Sequence, residues 1–167
     1  MRRTRALLFG VLLALVPSTP AMAATPGISV TLDGRPIAVA DIPDYQCHDL
    51  EYPVIRCFRK IADRDASIAV DIDVGVASAS LASGVVYVTV YDGANFTGST
   101  FSISQDYDAL ATIGWNDRVS SFKGRNSESG RFFVDWFGGG SNWPFCCNST
   151  YGSLGTYNNT FSSVYRG

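Results

Sequence analysis

Apolar and polar positions alternate along most of this chain, and that alternation predicts strands. In ISVTLDGRPIAV they alternate on both sides of Asp33-Gly34, a pair suited to a tight hairpin turn. VVYVTVYD (residues 85–92) is β-branched and aromatic, and STFSISQ places Phe101 and Ile103 on one face. FKG, GRFFVDW and SSVYRG predict further short strands broken by Gly and Asn. One segment departs from the pattern: VIRCFRKIADRDASIA carries Val54, Ile55, Phe58 and Ile61 at helical spacing and predicts a short helix. After it, VGVASASLASG (74–84) is small and uncharged, and reads as a linker or a surface strand.

The first residues follow a different rule. Arg2, Arg3 and Arg5 precede an apolar run, Ala6 to Val16, and Ala21-Met22-Ala23 forms a small-residue cleavage site. This is the order of a secretory signal peptide over residues 1–23, and the run is too short to span a bilayer. The mature chain is then expected to start near Ala24, exported and soluble, with about 144 residues. Loss of three arginines leaves ten basic against fifteen acidic residues, about −5. A mildly acidic chain argues against nucleic acid and anionic membrane as partners. Residues 24–84 form an N-terminal extension and linker that holds most of the acids, ahead of a strand-rich domain over 85–167.

Four cysteines remain: Cys47, Cys57, Cys146 and Cys147. An even count in an exported chain points to disulfides. Adjacent Cα atoms lie about 3.8 Å apart, below the usual disulfide range, which disfavours a bond between Cys146 and Cys147. Either remaining pairing would staple residues 47–57 onto the C-terminal half. A zinc site is the rival reading, and a single His argues against it.

The strand-rich half repeats itself. Tyr91-x4-Phe96-x-Gly98 is matched by Phe132-x4-Phe137-x-Gly139, Tyr107-x2-Leu110 by Tyr151-x2-Leu154, and Asn116 to Ser121 by Asn158 to Ser163. A repeat of about 42 residues with four strands has the size of one Greek key. Gly98 and Gly139 are read as fold-over positions, where a Cβ would obstruct the turn. The repeated Asn/Asp and Ser residues offer several oxygens within six positions. Ca²⁺ takes six to eight oxygens, so one arc cannot enclose it, but two arcs related by a pseudo-twofold could share two ions. The plainer reading makes both arcs ordinary turn residues.

With NDRVSS and NNTFSS in these places, and YDGANFTG as an aromatic-centred hairpin, residues 85–167 resemble the microbial βγ-crystallins. The resemblance implies an all-β fold, a two-Greek-key βγ-crystallin-type sandwich. Ahead of it the strand pattern adds a small hairpin-plus-short-helix extension. Calcium is the implied ligand, with side-chain oxygens from Asn116, Asp117, Asn158 and Asn159, carbonyls from Arg118 and Thr160, and hydroxyls from Ser120 and Ser162. Carbonyls of Asp92 and Phe133 would complete the shells, and Ser121 and Ser163 would hold the arcs in shape. Two departures concern the second copy: Phe133 stands where the family places a polar or acidic residue, and an insertion bearing Cys146-Cys147 lies beside it. Asp117 is the one carboxylate in the two arcs, so weak sites are expected, around 10⁻⁵–10⁻³ M.

Other features carry less. With no G-x-S-x-G elbow in the chain, His48 is read as a structural or surface residue, and Asp71 with Asp73 as one solvated face of a strand. DWFGGGSNWPF is either a docking surface or a wide loop folded into the core. Asn95, Asn148 and Asn158 lie in N-x-Ser/Thr sequons. The function expected is a secreted, non-catalytic, monomeric calcium-binding protein. The alternatives are a secreted metalloproteinase inhibitor, whose family resembles the same fold but usually has a Cys-rich lead absent here, and a killer-toxin or cell-wall-binding module. An extracellular protease or a cell-wall polymer would be the partner in those cases.

Overall fold

A computed structural model describes residues 27–77 and 84–167; the expected signal peptide, within residues 1–26, and part of the expected linker, residues 78–83, lie outside the described residues. Eleven strands and one helix are described: β1 Ser29–Leu32, β2 Arg35–Pro36, β3 Gln46–Glu51, β4 Val54–Phe58, α1 Ile61–Ala77, β5 Val88–Gly93, β6 Thr97–Ile103, β7 Ser121–Gly124, β8 Gly130–Phe133, β9 Asn142–Phe145, β10 Thr150–Tyr151 and β11 Ser163–Arg166. The hairpin at Asp33-Gly34 forms, with Leu32 opposite Arg35.

Two sheets pack face to face. One has eight strands in the order β10-β7-β5-β6-β3-β4-β1-β2, the other three in the order β11-β8-β9. Each repeat lays its first strand between its second and fourth, as β6-β5-β7 and as β9-β8-β11, and sends its third to the opposite sheet. In the first copy Tyr107 bridges Val164 of β11, and in the second β10 pairs with β7. The exchange makes an all-β, two-Greek-key sandwich. Phe122 of β7 and Phe132 of β8 meet across the core at 4.8 Å between ring centroids, and Phe145, Tyr151 and Phe161 pack around them.

The extension continues the larger sheet. β3 runs parallel to β6, with Cys47 opposite Phe101, and α1 lies against β3 and β4. The helix expected at Val54 begins at Ile61 instead. Residues 54–58 alternate in burial, with Ile55 and Cys57 inside, so the strand period prevails over the coincidental helical spacing. α1 is also longer than expected, at 17 residues, and takes in the first part of the linker reading. Asp71 and Asp73 stand on that helix and not on a strand.

The disulfide joins Cys47 to Cys57, which face each other directly across the antiparallel β3–β4 pair. Neither cross-pairing to the C-terminal half exists, and Cys146 and Cys147 are free and exposed. The sequence argument required every cysteine to pair, and leaving two thiols unpaired removes the conflict.

Fully buried polar groups fasten the extension. The Asp49 carboxylate accepts the Tyr107 hydroxyl at 2.8 Å and the Ser104 N–H at 2.7 Å. The buried Arg64 guanidinium donates to Thr100 on β6. His48 is buried, stacked on Phe58, and shares a 3.0 Å hydrogen bond with Ser67 Oγ. Burial, with the nearby Arg56 and Arg64 charges, pulls its pKa down to about 4, so it stays neutral at physiological pH.

Burial pushes Asp49 the other way, from about 3.8 to about 6, against its hydrogen bonds. The folded state therefore holds this proton more tightly than the unfolded chain. Its contribution is complete below about pH 4 and is lost as pH rises through about 6. Denaturant melts across this window are expected to show Asp49→Asn gaining on the parent with rising pH, by on the order of 2–3 kcal/mol.

Candidate metal centre

The two polar arcs lie face to face. Asp117 N–H donates to the Phe161 carbonyl and Asn159 N–H to the Val119 carbonyl, both at 3.0 Å. Asp117 and Asn159 have φ of 54° and 56°, a left-handed conformation that Asn and Asp accept more readily than most residues. Each turns its side chain toward the other arc. Ser120 Oγ donates to Asn159 Oδ1 at 2.8 Å, and Ser162 Oγ lies 3.4 Å from Asp117 Oδ1. The pseudo-twofold thus extends from the strand exchange down to single atoms.

Ser121 and Ser163 lock each arc to its hairpin. Ser121 Oγ donates to the Gly93 carbonyl and accepts the Phe96 N–H, while Ser163 Oγ donates to the Asp135 carbonyl and accepts the Gly138 N–H. These equivalences set the register of the repeat. Tyr91 pairs with Ser121 and Phe133 with Ser163, so the hairpins and arcs of the two copies correspond at an offset of 42 residues. Phe132 is therefore the counterpart of the core residue Val90, not of Tyr91, and Gly98 corresponds to Gly140, not Gly139. Gly98 and Gly140 have φ of +80° and +72°, and a Cβ would lie 2.0 Å from Asp92 Oδ1 in the first and 2.6 Å from Asp135 Oδ2 in the second. Gly139, at φ −83°, needs no such freedom. The run of three glycines hid the one-residue slip.

The register also sorts the remaining candidates. Phe133 corresponds to Tyr91, and the counterpart of Asp92 is Val134. The carbonyls of Tyr91 and Phe133 accept the N–H of Ser120 and Ser162, at 2.9 and 2.8 Å. Each serine thus sits against the hairpin of its own copy and the Asn/Asp of the other. One oxygen set joins hairpin 1, Ser120 and Asn159; the other joins hairpin 2, Ser162 and Asp117. The Asp92 carboxylate is occupied by the Ser99 N–H and by Arg118, at 2.8 and 3.0 Å. Arg118 and Thr160 precede Val119 and Phe161 in the two arcs, and Thr160 Oγ1 donates to the Tyr157 carbonyl. Asn158 is exposed and follows a short 3₁₀ turn.

Asn116 is tied into a chain of donors that sequence reading missed. Trp136 Nε1 donates to Asn116 Oδ1 at 3.1 Å, and Asn116 Nδ2 donates to Asp117 Oδ2 at 2.7 Å. Only the fold brings Trp136, twenty residues away, to this arc. Trp136 and Phe137 are exposed, whereas Trp143 is half-buried and Phe145 lies in the core, so the loop folds only part of its aromatics inward.

Among the described residues no three or more His, Cys, Asp or Glu side chains converge on a common point. What converges is a set of amide, hydroxyl, carbonyl and single carboxylate oxygens. That donor chemistry fits a hard cation and not zinc.

No family model matches the chain, and no curated protein matches it. The solved structures to which it is similar include βγ-crystallin domains. A βγ-crystallin from Ciona intestinalis is 22% identical, with a TM-score of 0.45 and coverage of 48% of this chain and 98% of that one. An archaeal βγ-crystallin is 28% identical, with a TM-score of 0.42 over 48% of this chain and 96% of that one. A domain from Flavobacterium johnsoniae is also 28% identical, at a TM-score of 0.43 over 48% and 93%.

The register has a direct test. Gly98→Ala and Gly140→Ala are each expected to cost roughly 1–3 kcal/mol in a urea melt, since both force a side chain into the left-handed region. Gly139→Ala is expected to cost clearly less; equal losses at 139 and 140 would contradict the assignment.

Proposed function

We propose that this is an exported, non-catalytic protein that binds two calcium ions between its facing arcs and is stabilised by them. The observation that supports the reading is the reciprocal pairing of Ser120 with Asn159 and of Ser162 with Asp117. Each pair sets a hydroxyl beside a side-chain carbonyl-type oxygen, on a serine whose own N–H is bound to a hairpin carbonyl. A hard cation entering there replaces a hydroxyl hydrogen bond with ligation by both oxygens, and water completes the shell. The ordered leader Arg2-Arg3-Arg5, apolar run and Ala21-Met22-Ala23 supports export. Among the described residues no helix is long and apolar enough to cross a membrane.

The sites are unequal. Asp117 gives the set on hairpin 2 a carboxylate oxygen from the facing arc, while the set on hairpin 1 has the neutral Asn159 in that place. The Asp92–Arg118 ion pair beside hairpin 1 adds no net charge. The Asp117 site is therefore the stronger, although Phe133 occupies its hairpin.

Thermal melts in millimolar calcium and then in chelator, with calorimetric titration, test the proposal. At calcium tenfold above the dissociation constant each site adds roughly 1.4 kcal/mol. Two filled sites are then expected to raise Tm by several degrees, and the gain should fall by more than half in Asp117→Ala and vanish when Asn159→Ala is added. The absence of both binding heat and a Tm shift at millimolar calcium would refute calcium binding.

Charge asymmetry gives a second outcome. Asn159→Asp is expected to tighten the weaker site about tenfold, and Asp117→Asn to weaken the stronger one by a similar factor, read by titration at low ionic strength.

A further inference from the structure

The turn between β9 and β10 presents two thiols side by side. Cys146 and Cys147 are both exposed, while the other two cysteines are buried in their own disulfide at 0% and 1% exposure. The turn is braced from several directions. Cys147 N–H donates to the Glu128 carbonyl at 3.0 Å, and Ser149 N–H to the Cys146 carbonyl at 2.9 Å. Cys147 and Asn148 take successive left-handed conformations, with φ of 61° and 64°. The Asn148 side chain exchanges hydrogen bonds with Ser127 in the neighbouring turn, at 2.9 and 3.2 Å. The Cys147 thiol is raised in pKa, chiefly by its hydrogen bond with Cys146.

Three constraints decide what oxidation can do here. A bond between the neighbours would close an eight-membered ring across a Cα spacing of about 3.8 Å, short of the usual range, within a turn already fixed by four hydrogen bonds. Cys47 and Cys57 offer no exchange partner inside the chain. No charged residue occurs from Ser141 to Phe161, so nothing ionic within this stretch opposes the approach of a like surface.

We infer that Cys146 and Cys147 are a covalent self-association site, at which two copies of this chain join through a pair of disulfides. A twofold arrangement sets Cys146 of each copy against Cys147 of the other. Both thiols of both copies are then consumed, and the product is a closed dimer and not a chain of copies. The chemistry needs an oxidant, here a small-molecule disulfide. A Cys146 thiolate attacks one of its sulfurs, forming a mixed disulfide and expelling one small thiolate. A Cys147 thiolate of the second copy then attacks the Cys146 sulfur, forming the interchain bond and expelling the other. Each interchain bond thus oxidises two protein thiols and reduces one small disulfide to two thiols. The expectation of a monomer then applies to the reduced protein.

The test equilibrates the purified full chain, part of it isotope-labelled, with oxidised glutathione at micromolar protein. Non-reducing gels, light scattering and intact mass are the readouts. The expected result is a mixed-label dimer that dithiothreitol returns to monomer, with peptide mapping that links Cys146 and Cys147 across copies. Cys146→Ser/Cys147→Ser should remain monomeric in the same oxidant while melting like the parent. A monomer lighter by two further hydrogens would show the internal ring and overturn the proposal. A monomer carrying glutathione, thiols that stay titratable, or a ladder of higher oligomers would overturn it equally. None of these outcomes depends on calcium.

Discussion

Two backbone hydrogen bonds, from Asp117 to Phe161 and from Asn159 to Val119, hold one polar arc against the other. Their geometry requires both donors to sit in the left-handed region, and it turns their side chains across the pseudo-twofold. Everything around them serves that contact. The serines at the ends of the arcs anchor the hairpins, the hairpins present carbonyls, and the crossed third strands keep each arc opposite its partner. The aromatic stack of Phe122, Phe132 and Phe161 fills the space behind. A polar site without a dense carboxylate cluster can persist here because its framework is satisfied internally before any ion arrives.

Much of this was legible in the sequence because two signals were redundant. The Asn/Asp and Ser positions occur twice, and strand periodicity around them is clean, so the keys and their arcs could be placed without a structure. The register of the second hairpin was not legible. Phe132, Phe133 and Phe137, with Gly138, Gly139 and Gly140, offer several alignments that differ by one residue, and only the pairing of Phe133 with Ser163 selects among them. In a strand such a slip exchanges a core position for a surface one.

The extension was read less well, for related reasons. Val54, Ile55, Phe58 and Ile61 satisfy a helical spacing by accident, and short segments carry too few positions to separate periods of two and 3.6. The cysteines misled because complete pairing was imposed on them. The Trp136–Asn116–Asp117 relay had no local signal at all, since its members meet only after the hairpin folds over. Long-range contacts between loops leave no periodic trace in a chain.

The parallel pairing of β3 with β6 has a consequence for solubility. Without the extension, β6 would be the bare margin of its sheet, seven residues of unsatisfied N–H and C=O groups ready to template another molecule. The extension moves that margin outward to β2, whose two exposed residues are an arginine and a proline. One carries charge and the other lacks an N–H, so the rim that faces solvent is poorly suited to recruiting a strand. At the far side the sheet ends in β10, again only two residues long. Residues 27–77 therefore act as an edge guard, and a protease that released them would bare β6 to strand recruitment by another molecule.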